Sequence, residues 1–391
     1  MVACCSARTS TQWEEPRCRA MSADTQSARR VSRLHEVDGI RGWAALSVLI
    51  YHTHIEMFIV AWPQVNGFWP RFVIHGPLSV AVFFVLSGDV LASTCLAGGV
   101  RAIDAMVVKR YARLTLPIAA SCLLVWLLMN MGLIFNQQAS QVLHHEDWLG
   151  ACLQFAPTAV SLVHYVLYGV YVGHDRHTAY NPFLWTMSIE LVGSMLVFLF
   201  MYMHGRLRSP KAVLMALALL TFVLKSFYWY FFVGVLFALY RREGLWERLR
   251  NLQTSGFFAA MTVLACFAAD VWSQSVPAFS AYIAMLLGPL LVSAFYAAPY
   301  FVAFFSNRAS RFLGNISFSL YLVHFAVLVS LSSWLVLHPD VLGVSGRPGW
   351  FAIGLASSLA SMLLATALWQ LERRMLTRLA RLPGWLFNQA G

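Results

Sequence analysis

The chain has 391 residues, of which 59% are hydrophobic and only 12% charged, with a formal net charge of +11 at pH 7. Soluble domains carry about a quarter charged residues, and here long apolar runs recur from Gly39 to Gln370 with the basic residues between them. That pattern excludes a soluble enzyme, reads the charge as membrane topology rather than a nucleic-acid surface, and predicts an all-α polytopic transmembrane bundle.

Residues 1–35 are rich in Ser, Thr, Arg and Ala and carry no cleavable signal peptide. They predict a disordered tail, and Arg29, Arg30 and Arg33 ahead of the first apolar run assign it to the cytosol. Cys4 and Cys5 read as part of that unmodified tail. With Cys18, Cys95, Cys122, Cys152 and Cys266 they make an odd, scattered set without a metal-type pair or a disulfide framework.

The first span is expected over 39–60, followed by a Pro/Trp-rich outer loop from Trp62 to Pro70. The second covers 76–97, and a cytosolic loop over 101–113 carries Arg101, Lys109, Arg110 and Arg113. The third covers 114–135, an irregular His-rich stretch fills 136–181, and the fourth covers 183–204. Basic segments at 206–211 and 241–250 both belong inside, so 212–240 cannot be one span. Lys225 divides it into a hairpin of two short helices, 212–224 and 226–240. Spans over 255–272, 278–298, 313–337 and 350–371 complete about ten, and a basic cytosolic tail occupies 375–391. Residues 156–173 would invert every later loop if they crossed, so they read as a re-entrant or interfacial segment.

The stretch D-G-I-R-G-W-A-A-L-S-V-L-I-Y-H carries Arg41 and His52, which share one helix face roughly 16 Å apart along the axis. Ionisable groups within a membrane are costly and usually face the bundle interior, where they mark function. Packing is the competing reading, with Arg41 snorkelling to a headgroup. His52 lies roughly 12 Å from the outer end of its span, and Glu190, in W-T-M-S-I-E, roughly 10 Å from the outer end of the fourth. A histidine and a carboxylate at matched depth can act as a base and its orienting partner.

The second span holds F-F-V-L-S-G-D, with Ser87, Gly88 and Asp89. Small residues there suit close helix contact, and Asp89 suits either a pocket or an arginine partner. In L-G-N-I-S-F-S-L-Y-L-V-H, Ser317, Tyr321 and His324 fall near one helix face, either as interhelical glue or as substrate contacts. Lys109, Arg110 and Arg113 suit phosphate groups, and equally suit anionic lipid. The stretches H-H-E-D (144–147) and H-D-R-H (174–177) match no closed zinc motif and read as solvated loop, so no metal site is expected.

Together these stretches resemble the acyltransferase-3 family of multi-pass membrane O-acyltransferases over about 36–374. The arginine–histidine opening, F-F-V-L-S-G, K-R-Y-A-R-L-T-L-P, L-W-T-M-S-I-E and the late L-G-N-I-S-F-S-L-Y-L-V-H stand in the family's order. The resemblance implies transfer of an acyl group, often acetyl, from acyl-CoA as co-substrate to a hydroxyl acceptor, with no bound cofactor. It implies His52 as the base with Arg41 its motif partner, Glu190 in the active region, and Arg110 and Arg113, joined by Lys109, at the CoA phosphates. Ser87, Asp89, Trp185, Ser317, Tyr321 and His324 are expected to line the substrate pocket. Asp89 departs from the family, which usually has a bulky apolar residue after Ser-Gly.

The short outer loops favour a small, lipid-linked or secondary-metabolite acceptor. Two rivals remain at this stage: a proton-coupled transporter using His52 and Glu190 as a relay, and a lipid-binding structural membrane protein.

Overall fold

The computed structural model describes residues 34–67, 74–273, 277–344 and 346–379. The N-terminal tail to Arg33, part of the first outer loop and the C-terminal tail from residue 380 lie outside the described residues, so the expectations made for them stay as stated. The same holds for the side chain of Arg101.

Among the described residues the chain is helical, without strands. In order, the α-helices are α1 His35–Ile50, α2 Gly76–Val100, α3 Ala102–Asn130, α4 Asn136–Leu143, α5 Ala159–His164, α6 Thr186–His204, α7 Pro210–Val223 and α8 Tyr228–Arg242. They continue with α9 Leu245–Arg250, α10 Ser255–Ser273, α11 Pro277–Ala297, α12 Pro299–Phe305, α13 Arg308–Val327, α14 Ser333–Leu337 and α15 Gly346–Leu379. Seven helical stretches are long and apolar enough to cross a membrane: α2, α3, α6, α10, α11, α13 continued through α14, and α15. The other three expected spans are helical but shorter or interrupted. α1 runs into a π-turn at Tyr51–Glu56, and Lys225, at φ 51°, separates the short α7 and α8.

One boundary differs from expectation. The basic stretch 101–113 is not a loop. A single break at Gly99 (φ 64°, ψ −159°) ends α2, and α3 is already helical from Ala102. Only glycine takes that backbone geometry readily, whereas Ala, Met, Lys and Arg after it favour helix. Lys109, Arg110 and Arg113 therefore stand on a rigid helix, with Arg110 and Arg113 three residues apart on one side.

Glycines set two close helix pairs. A β-carbon at Gly42 would overlap the backbone of Leu313 and Gly314, and one at Gly314 would overlap Asp38, so α1 and α13 meet backbone to backbone. Gly88 on α2 and Gly234 on α8 do the same, against Phe231 and Val85. Such contact is how small residues bring membrane helices together where no water drives burial.

Four apolar clusters form among the described residues, two of them large. Phe84, Phe231 and Leu287 belong to one, between α2, α8 and α11. Ile118, Cys122, Tyr180 and Phe325 belong to the other, between α3, α13 and the segment before α6. Cys95, Cys122, Cys152 and Cys266 are buried and free.

The stretch 136–181 is more structured than a solvated loop. Arg176 donates to the carbonyls of Asp147 (2.8 Å) and Trp148 (3.0 Å), tying its two His-rich parts together. Tyr165 and Val166 are buried while Val163, Leu167 and Tyr168 are exposed, so α5 and the π-turn after it present one apolar face outward.

Candidate active site

Two π-turns frame the site. Thr53 donates its hydroxyl to the carbonyl of Leu49 (2.8 Å), and Ser333 donates to that of Leu328 (2.8 Å). Hydroxyls that compete for helix carbonyls loosen the regular ladder, and π-turns often mark functional positions. The first turn carries His52, and the second begins four residues after His324.

His52 on α1 and His324 on α13 are joined through Nδ1 and Nε2 at 3.1 Å. Nδ1 of His324 lies 3.1 Å from the carbonyl oxygen of Leu320. A carbonyl only accepts, so with both rings neutral His324 carries its proton on Nδ1 and presents a bare Nε2. His52 must then donate from Nδ1, which leaves its own Nε2 with a free lone pair. Among the described residues that nitrogen has no hydrogen-bond partner. His324 is 1% exposed, whereas His52 is only partly buried and can be reached.

Phe183 clamps the pair. Its ring stacks on His52 at 4.1 Å between centroids and 4° between planes, and on His324 at 5.0 Å. Trp148 lies behind at 6.2 Å from His52. Tyr321 fixes Phe183 by donating to its carbonyl oxygen, and its hydroxyl also meets Thr186 at 2.8 Å. Tyr321 thus acts as glue between α13 and the start of α6. Ser317 bonds to Gly314 of its own helix (2.9 Å). Trp185 is 39% exposed against Phe227.

Glu190 does not meet His52. Its carboxylate pairs with Arg110, whose Nε donates to Ser194 at 2.8 Å. Arg113 lies within electrostatic reach of Arg41, Arg110, Glu190 and Glu372, and Glu372 accepts from Ser319 at 3.1 Å. This second cluster holds three arginines against two carboxylates. Arg41 has a buried Nε without a partner, and neither Arg41 nor Arg113 makes an ion pair among the described residues. Lys109, one residue before Arg110, is partly buried.

The histidine pair and the arginine cluster share their supports. α1 supplies Arg41 and the π-turn that continues it supplies His52, α13 supplies His324 and Ser319, and Phe183 sits on the 3-10 turn that leads into α6, which carries Glu190. Along α1 the separation is roughly 16 Å at 1.5 Å per residue.

Asp89, expected at the pocket wall, is fully buried elsewhere. It pairs with Arg241 of α8, accepts from Tyr296 at 2.6 Å and from Ser93 at 3.2 Å, and lies in the α2–α8 core. Three contacts engage both of its oxygens, so the residue joins helices. Ser87, two positions earlier, is partly buried. Among the described residues no three His, Cys, Asp or Glu side chains converge on a point that would hold a metal.

Phe183, Trp148 and Glu372 were not singled out from the sequence. Phe183 directly precedes the tryptophan-to-glutamate stretch by two residues, which is a usable signal. Trp148 and Glu372 reach the site only through tertiary contacts.

A family described as an acyltransferase domain matches residues 34–368. The chain is similar to the O-acetyltransferase PaAT-1 of Phomopsis amygdali, with 25% identity over 375 residues, covering 78% of this chain and 75% of that protein. No solved structure matches.

Proposed function

The chain belongs to the acyltransferase-domain family, and from that premise we propose that it moves an acetyl group from acetyl-CoA to a hydroxyl of a small or lipid-linked acceptor, with His52 as general base. The observation that carries this is the free Nε2 of His52, backed by the hydrogen-bond chain that His52 donates through His324 to the Leu320 carbonyl.

The acceptor hydroxyl gives its proton to His52 Nε2 while its oxygen attacks the thioester carbonyl. The carbon–sulfur bond then breaks, and the imidazolium returns the proton to the departing thiolate. Charge formed on His52 spreads through His324, which holds the ring in the correct tautomer. Phe183 stacks on both rings and holds them nearly parallel to its own, so the base is positioned before substrate arrives.

Within this cluster Arg41 and Arg113 make no ion pair among the described residues, which suits them to the CoA phosphates. Arg110 is engaged with Glu190, so its part is to hold α3 against α6 beneath them. The roughly 16 Å from Arg41 to His52 suits an extended pantetheine arm. The distribution of basic residues supports both termini facing the cytosol, with acetyl-CoA arriving from that side. The similar protein's being an O-acetyltransferase supports acetyl as the transferred group.

The test uses purified wild type and His52→Ala with labelled acetyl-CoA and candidate alcohols. CoA release coupled to an acylated product in the wild type, lost in the variant, is expected. Equal turnover in both removes His52 from the chemistry.

A further inference from the structure

A largely apolar cavity lies at the start of α2, around His75. It has a volume of about 240 Å³ and is enclosed by the start of α2, the α7–α8 turn, the end of α10 and the first half of α11. Its wall is mainly apolar, with Leu78, Phe227 and Met285, but three ionisable groups open onto it: His75, Asp270 and Lys225.

Among the described residues the hydrogen bonds there engage one oxygen of Asp270. Nδ1 of His75 accepts from the backbone N–H of Leu78 at 3.2 Å, so its Nε2 carries the proton and donates to Oδ2 of Asp270 at 3.0 Å. The Asp270 side chain is 8% exposed, and Oδ1 has no hydrogen-bond partner among the described residues, which leaves it able to accept from a ligand in the cavity. Lys225, held at φ 51°, places its ammonium 4.7 Å over the Tyr282 ring.

Two contacts tie this cavity to the reaction site. A β-carbon at Gly76, next to His75, would lie 2.8 Å from the ring of Tyr51, which packs edge-on against His52. On the other side Phe227 meets Trp185 at 5.5 Å, two residues from Phe183.

We propose that this cavity binds the acyl acceptor, and that the acceptor is an amphipathic diol or polyol. One hydroxyl donates to Asp270 Oδ1, the apolar body lies against Leu78, Phe227 and Met285, and a second hydroxyl reaches His52. A carboxylate-bearing acceptor is disfavoured beside Asp270. The assignment of the cavity to the acceptor rests on the acyl-transfer reading, whereas its occupancy by an alcohol does not.

The test is photolabelling of the full chain in lipid nanodiscs with 3-azioctanol, a diazirine-bearing alcohol, followed by peptide mapping. Saturable labelling of 225–230 and 281–287 is expected, falling about tenfold in Ala284→Trp, the loss of affinity that 1.4 kcal/mol represents. If that variant does not fold, Ala281→Phe fills the same wall. His52→Ala should label as the wild type does. Octanol should also slow CoA release from acetyl-CoA at the concentration that saturates labelling. Diffuse labelling of lipid-facing helices, or labelling indifferent to both filled variants, overturns the site. Specific labelling without any effect on CoA release overturns the acceptor assignment alone. Absence of His52-dependent CoA release removes the acyl-transfer reading, and the acceptor assignment with it, while leaving the alcohol pocket intact.

Discussion

Arg110 and Glu190 form an ion pair between α3 and α6, with side chains only 11% and 12% exposed. The carboxylate is therefore committed to a guanidinium and not to the His52 imidazole. Removing one member of a buried pair strands the other charge and costs about 3–5 kcal/mol. Glu190→Gln should lower the thermal midpoint in detergent clearly, and Arg110→Met added to it should recover part of the loss. If the double variant is no more stable than the single, the pair is not the cause.

Under the proposed mechanism His324 acts through His52, as a positioning residue. His324→Ala removes the acceptor for the Nδ1 proton of His52 and frees the ring to take the wrong tautomer. The rate should fall within the range of about 10²–10⁴ that general-base catalysis supplies. The acetyl-CoA KM should change little and the pH–rate profile should shift. Rescue by His324→Asn, whose carbonyl can accept the same proton, would separate positioning from packing. A variant with normal kcat and raised KM contradicts this role.

Arg41 and Arg113 are predicted to meet phosphates. Arg113→Ala should raise the KM for acetyl-CoA by about tenfold, a 1.4 kcal/mol loss suited to one charge-assisted contact. The same variant should treat S-acetyl-pantetheine, which lacks the nucleotide phosphates, as the wild type does. An equal loss for both substrates would assign Arg113 to the fold instead.

Asp89→Phe introduces the bulky apolar residue that resembling proteins usually have there. With Arg241 and Tyr296 left facing it, the variant should be destabilised by about 3–5 kcal/mol, as for other broken buried pairs. Acceptor preference of the folded fraction should not change. A changed preference at unchanged stability would return Asp89 to the pocket.

Gly42→Ala tests the backbone contact of α1 with α13. The added methyl has no room against Leu313 and Gly314, and overpacking of this kind costs about 1–3 kcal/mol. Because the same two helices carry His52 and His324, activity should fall further than the fraction unfolded accounts for. Comparing specific activity with the folded fraction from circular dichroism checks this.

Apolar runs, basic punctuation and the position of Lys225 were enough to establish a helical membrane bundle with a short α7–α8 pair, because hydropathy and charge act locally along the chain. His52, Arg41 and the arginines of α3 were legible for the same reason: an ionisable residue inside an apolar run is conspicuous whatever surrounds it. Partnership was not legible. Matched depth put Glu190 within possible reach of His52, but depth is one coordinate of three, and rotation about the helix axes turned Glu190 to Arg110 and brought His324 to His52 instead. Asp89 likewise stood out in sequence, yet only the contact of α2 with α8, set by Gly88 and Gly234, decided that Arg241 would neutralise it. The identity of charged groups is written residue by residue, whereas their pairing is a property of how helices rotate and cross, which backbone contacts between distant glycines determine.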